Sequence, residues 1–171
     1  LYSLAKLQQD MGQKYGFPPD RTLEIAQALY EKHKILSYPR TDSQCLSMDV
    51  YNEIEAHLRC CCFGTFKEMI GKIDFSNIRA DKRYFNDLKV TDHHALIPAI
   101  NNDMPSIYNI LDRDEKRVFD AIVASLIAIF YPEYCYDAIK IIIEIGENQF
   151  KSNGTIIRQL GFRTILKNQE E

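Results

Sequence analysis

The chain has 171 residues, 46% apolar and 26% charged, a composition that fits a folded globular protein with one good core or two small ones and excludes a disordered segment. A net charge of −3 and a pI near 5.8 argue against tight autonomous binding to DNA, which calls for a basic face. No apolar run approaches the roughly 18 residues of a membrane-spanning helix. In chain order, Leu4, Leu7, Met11 and Tyr15 recur at helical spacing and predict a first helix that stops at Gly16, before Pro18-Pro19. Asp20 is the expected N-cap of a second helix, whose apolar face is Leu23, Ala26, Leu29 and Tyr30 and which ends near His33. Ile35-Leu36-Ser37 reads as extended and delivers a loop, Tyr38-Pro39-Arg40-Thr41-Asp42-Ser43.

A third helix is expected from about Ser47 to Arg59 on the stripe Val50, Ile54 and Leu58, and a short one on Phe66, Met69, Ile70 and Ile73. Residues 74–89 are polar and irregular, as in a surface loop. Thr91-Asp92-His93-His94-Ala95-Leu96-Ile97-Pro98 follows, then turn-like residues 101–105. Asp112 or Asp114 caps a long helix through about Phe130, with Val118, Ile122, Leu126 and Ile129 facing a core, and Pro132 ends it. The period then switches to that of strands. Cys135–Ile145 reads as a long strand, Gly146-Glu147-Asn148 as a turn and Gln149–Ser152 as its partner. Asn153-Gly154 signals a second turn, before a third strand around Thr155–Arg158. The Ile141-Ile142-Ile143 run implies burial on both faces or contact with another domain.

The expected class is therefore α+β, mainly α. A helical, winged-helix-like domain over residues 1–131 precedes an incomplete β-domain of two to three antiparallel strands over residues 132–171. Five cysteines (Cys45, Cys60, Cys61, Cys62, Cys135) show no Cys-x-x-Cys spacing, which disfavours a zinc site or a disulfide framework and fits a reducing cytoplasm. Residue 1 is a leucine inside a helical pattern with no signal-peptide progression, so the chain reads as a fragment of a larger protein.

The tyrosine loop holds the candidate chemistry. Tyr38 offers a phenol oxygen, Pro39 stiffens the backbone, and Arg40 supplies a planar fork suited to a phosphate. Thr41, Asp42 and Ser43 add hydroxyls and a carboxylate. A tyrosine beside a phosphate-binding arginine is what a protein needs to attack a phosphodiester and hold the product covalently. The plainer reading of the same residues is a turn whose Thr41 or Ser43 caps a helix. His93 and His94 are adjacent and point in different directions, so one can face a site while the other packs away. Together with Asp92 they lack a third metal ligand. Asp112-Arg113-Asp114-Glu115 opens a helix, where its acids cap and complement the dipole rather than hold magnesium. Lys6, Lys14, Lys32 and Lys34 give the first two helices positive charge that could touch the backbone of single-stranded DNA.

The run RTLEIAQALYEKHKILSYPRTDS (residues 21–43) resembles the active-site region of type IA DNA topoisomerases, nearest to the topoisomerase III branch. LYSLAKLQQD at the start, the Thr91–Pro98 motif and the segment from about Asp114 to Phe162 are similar to the same family in the same order. The resemblance implies that Tyr38 is the nucleophile, that Arg40 binds the phosphate, and that His93 contacts it; the hydroxyls of Thr41 and Ser43 and the charge of Lys34 make these three further candidate DNA contacts. It implies a 5′-phosphotyrosyl intermediate, strand passage and religation without ATP. It also implies a magnesium-binding toprim domain and further gate domains of the same polypeptide, with single-stranded DNA as substrate and no membrane partner. Ala99 stands where the family usually has threonine. Without its toprim half the fragment is expected to be inert. The rival readings are a non-catalytic helical DNA-binding module and a protein-interaction domain.

Overall fold

A computed structural model describes residues 1–167. Helix α1 (Leu4–Tyr15) starts where the Ser3 hydroxyl accepts from Lys6 N and ends at Gly16, whose φ of 70° is the left-handed turn a glycine takes at low cost. It buries Leu7 and Met11. Helix α2 (Pro19–Glu31) begins one residue ahead of the expected Asp20 cap. Pro18 and Pro19 have φ already set for a helix entry and need no N–H there, so Asp20 lies inside the first turn and complements the dipole instead. The buried stripe of α2 is Thr22, Ile25, Ala26 and Leu29, with Leu23 and Tyr30 half-buried at its margins.

Helix α3 (Met48–Cys60) is capped by the Ser47 hydroxyl and buries Ile54 and Leu58. Helix α4 (Phe66–Gly71) buries Phe66 and Ile70. The polar 74–89 segment is less superficial than its composition suggests. It holds two 3-10 turns, and Phe85 enters the core and bridges to Leu46. Residues expected as a plain turn open helix α5 (Met104–Ile110), which drives Met104 fully into the core. Helix α6 (Arg113–Ala128) is the centre of the molecule, with Val118, Phe119, Ile122, Val123, Leu126 and Ile127 all buried. Helices α2 and α4 pack on α6, and α1 packs on α2.

Beyond Pro132 the chain forms one antiparallel ribbon, β1 (Cys135–Ile145) and β2 (Asn148–Gln159). The turn is at Gly146, φ 61°. The second turn expected at Asn153-Gly154 does not occur, and neither does a separate third strand. β1 is long enough to pair with β2 without a break from Asn148 to Ile157, so Asn153 and Gly154 stay in the ladder opposite Lys140 and Ile139. The pairing places Ile139, Ile141, Ile143, Ile145, Phe150 and Ile156 on one face, and all of them are exposed. The Ile141–Ile143 run is thus left exposed by the described residues. The chain then returns: Phe162 N donates to the Pro132 carbonyl, and helix α7 (Arg163–Lys167) buries Ile165 against α6. The architecture is mainly helical with a small β part. No helix among the described residues is long and apolar enough to cross a membrane.

Candidate nucleophilic-tyrosine site

The tyrosine segment is held by its neighbours on both sides. Ile35 N closes onto Leu29 O at the end of α2, and residues 35–37 pair with 97–99 through Ala99 N→Ile35 O (2.9 Å) and Ser37 N→Ile97 O (3.0 Å). The Ser37 hydroxyl also accepts from Ile97 N at 3.1 Å. The histidine motif therefore lies alongside the tyrosine motif, although about 60 residues separate them. A buried hydrogen bond sets where α2 ends relative to α6: His33 Nε2 lies 3.0 Å from Glu115 Oε1. The other oxygen of Glu115 accepts from Asp112 N at 2.9 Å, closing a capping box, so this cluster serves the helix.

Thr41 and Ser43 are buried, and their hydroxyls point inward. Thr41 Oγ1 donates to the His93 carbonyl (3.0 Å) and accepts from Ser43 N (3.1 Å). Ser43 Oγ accepts from Cys45 N and lies 3.0 Å from the Lys89 carbonyl. These two hydroxyls tie the tyrosine loop to the 89–93 segment.

Tyr38 is 36% exposed, and its phenol makes no hydrogen bond to a described residue. Its ring touches two others. The Tyr30 ring meets it edge-on at 5.5 Å, and the His93 imidazole lies 4.3 Å away, centroid to centroid. Arg40 is exposed and has no ion pair with any described residue, so its guanidinium is available to an anion. His94 turns aside and donates through Nδ1 to the Ala95 carbonyl at 2.7 Å. Lys34 leaves α2 with a left-handed φ of 56°, held by Asn101 Nδ2 on its carbonyl, and its ammonium lies 5.7 Å from the Tyr30 ring. A polar cleft of about 390 Å³, lined in part by Asp42, Gln44, Arg83 and Lys89, opens beside the loop. Arg83 there is already paired with Asp81 and Glu133. Among the described residues no three His, Cys, Asp or Glu side chains converge to hold a metal ion.

The structure thus sets the Tyr38 phenol against the His93 imidazole, from two motifs distant in the chain, with the exposed Arg40 two residues along the same loop. The profile of a family described as DNA topoisomerase matches residues 1–171, the whole chain. The chain belongs to the DNA topoisomerase family. Curated relatives include a DNA topoisomerase 3 of Bacillus cereus, 33% identical over 174 residues, and that of Bacillus subtilis, 34% identical over 171. Each match takes in 100% of this chain but 23% of the relative, so the chain spans about a quarter of their length. The fold is similar to that of full-length topoisomerase I from Thermotoga maritima, with a TM-score of 0.66 at 23% identity over 97% of this chain and 26% of that one.

Within this topoisomerase chain, several residues around the tyrosine carry no sequence signal. Tyr30 reads from periodicity as one more apolar-face residue of α2, yet its ring lies against Tyr38. Ser37 and Asn101 look like ordinary loop polars, and both hold backbone beside the site. His57 Nδ1 donates to the Pro98 carbonyl at 2.7 Å, and burial pushes its pKa down, so it stays a neutral clamp on the histidine motif.

Proposed function

We propose that this chain is the tyrosine-bearing part of a type IA topoisomerase of the topoisomerase III kind, acting on single-stranded DNA. In the reaction, Tyr38 Oη attacks a backbone phosphorus in line with the bond to the 3′ oxygen. The P–O3′ bond breaks, the 3′ hydroxyl leaves with a proton, and the strand end stays as a 5′-phosphotyrosyl ester. The Arg40 fork takes the non-bridging oxygens as charge builds on them, and His93 lies close enough to Tyr38 to contact the same phosphate. Passage of another strand through the gap and the reverse attack by the 3′ hydroxyl restore the backbone. The ester keeps the bond energy, so ATP is not consumed. The reading divides the chain into a helical tyrosine domain (1–131) and a returning β-segment (132–171), both belonging to a larger polypeptide. Magnesium is assigned to a toprim domain outside this chain. Among the described residues of this chain no three His, Cys, Asp or Glu side chains converge to hold it.

The observation that carries the proposal is the exposed Tyr38 phenol in ring contact with His93, with no hydrogen bond to a described residue. The test is Tyr38→Phe in the complete enzyme, incubated with end-labelled single-stranded DNA and magnesium. Loss of the denaturation-resistant adduct, with oligonucleotide affinity within a few fold, is expected. Relaxation of supercoiled DNA by the phenylalanine variant would remove Tyr38 from the mechanism. The isolated chain, lacking the groups that stabilise the leaving oxygen, is expected to form no adduct.

A further inference from the structure

We propose that Tyr30 is a positioning residue for the nucleophile: its ring fixes the rotamer of Tyr38 and so the direction in which the phenol oxygen points. The inference rests on the reading of Tyr38 as nucleophile and adds a residue to it. The backbone of the tyrosine loop is well tied, through Ser37 to Ile97 and Thr41 to His93. The Tyr38 side chain is not. Its phenol has no hydrogen-bond partner among the described residues, and about a third of its surface is open to solvent. What orients the ring is contact with two other rings, Tyr30 and His93.

Those two supports differ in rigidity. His93 is exposed and lies in an irregular segment that opens at Thr91. Tyr30 stands on the last turn of α2, a helix packed on both α1 and α6 and locked at its end by the His33–Glu115 pair. It meets Tyr38 edge-on, with an interplanar angle of 85° and centroids 5.5 Å apart, a favoured aromatic geometry. Lys34 then sets its ammonium over the Tyr30 ring at 5.7 Å. The Tyr30 hydroxyl makes no hydrogen bond to a described residue, so the ring alone does the positioning. In-line attack depends steeply on orientation, and a small misplacement of a reacting atom costs much of the rate. Loss of one aromatic contact, spread over a partly ordered ring, is expected to slow adduct formation about three- to tenfold.

Two measurements test this. In the complete enzyme, Tyr30→Ala should slow Tyr38 adduct formation by that factor while the dissociation constant for a single-stranded oligonucleotide stays within twofold. Tyr30→Phe should restore the rate. Independently, the 171-residue chain carrying 3-fluorotyrosine is followed by fluorine NMR, with the Tyr38 line identified by Tyr38→Phe. Tyr30→Ala should move that line toward its unfolded-chain position, and Tyr30→Phe should leave it in place. Tyr30→Leu keeps apolar bulk and helix propensity, and should move the line with the circular dichroism unchanged. Equal adduct rates in wild type and Tyr30→Ala, or an unmoved Tyr38 line in Tyr30→Leu, overturns the positioning role while leaving Tyr38 as nucleophile. If wild-type enzyme forms no adduct at Tyr38, the nucleophile assignment itself fails, and the positioning role with it.

Discussion

Replacing Thr41 by valine asks how much one inward-facing hydroxyl does for the loop that carries Tyr38. The two side chains have nearly the same shape, so the exchange opens no cavity and reads the hydroxyl alone. Thr41 Oγ1 donates to the His93 carbonyl at 3.0 Å and accepts from Ser43 N at 3.1 Å, and valine orphans both. The Ser43 amide is buried and has no water to turn to, so it bears the full desolvation penalty, about 1–3 kcal/mol. His93 is exposed, and water recovers most of the loss at its carbonyl, leaving about 0.5 kcal/mol. The sum is about 2 kcal/mol, a large share of the roughly 5–15 kcal/mol by which a domain is stable. With a urea m-value of about 1–3 kcal/mol/M, the unfolding midpoint should fall by about 1 M. Thr41→Ser keeps the hydroxyl and should lose less than half as much. In the complete enzyme the valine variant should also cleave more slowly, because the bond it removes leads directly to His93. A valine variant with the wild-type midpoint, or one more stable than the serine variant, would refute the assignment.

Other measurements bear on other parts of the chain. Arg40→Lys retains the charge and loses the two-pronged fork, so cleavage in the complete enzyme should drop by ~10²-fold; unchanged turnover would mean that Arg40 only shapes the loop. Burial raises the Asp120 pKa from 3.8 to about 6, with Tyr108 donating to its carboxylate. Its folded form therefore holds a proton that the unfolded chain has released between those values, and stability from this group is full below about pH 4 and fades as pH rises through 6. Asp120→Asn should flatten that slope and stabilise the chain by on the order of 2 kcal/mol at pH 8, with no gain at pH 4, as read by urea midpoints. Gly161 has φ 50°, and a Cβ there would run into the carbonyl oxygens of Pro132 and Glu133. Gly161→Ala should therefore cost about 1–3 kcal/mol and detach α7, seen as faster hydrogen exchange at Ile165; an alanine variant with native protection would show that the return of the chain is not locked at this point.

The helices and the chemistry-bearing motifs were legible in the sequence because both are written locally. A cap such as Ser47 or Asp112 and an apolar repeat such as Ile54 and Leu58 act within one or two turns, so short windows suffice to place α1, α3 and α6. The Tyr38-Pro39-Arg40 loop and the His93 motif were likewise visible as residue types in order. Local signals failed where a partner elsewhere in the chain decided the outcome. Asn153-Gly154 carries the signature of a tight turn, yet β1 is long enough to offer ladder partners straight through it, and satisfied backbone bonds outweigh the preference of two residues. The polar composition of residues 74–89 hid Phe85, whose burial depends on Leu46 and Tyr51 lying opposite.

By itself, then, the sequence determined the main helices α1, α2, α3, α4 and α6 and which side chains bear reactive groups, since helix propensity and functional-group chemistry need no knowledge of distant contacts. Only the tertiary structure decided which of those groups face outward. Thr41 and Ser43 carry hydroxyls as suited to DNA as any, but the fold turns them inward, where they bond the backbone of residues 43, 45, 89 and 93 instead. The same pairing brings His93 within ring contact of Tyr38, and the packing of α2 on α6 sets Tyr30 against it. Contacts of this kind follow from how the helices stack to bury their apolar stripes, a requirement of the whole chain that no short stretch of it contains.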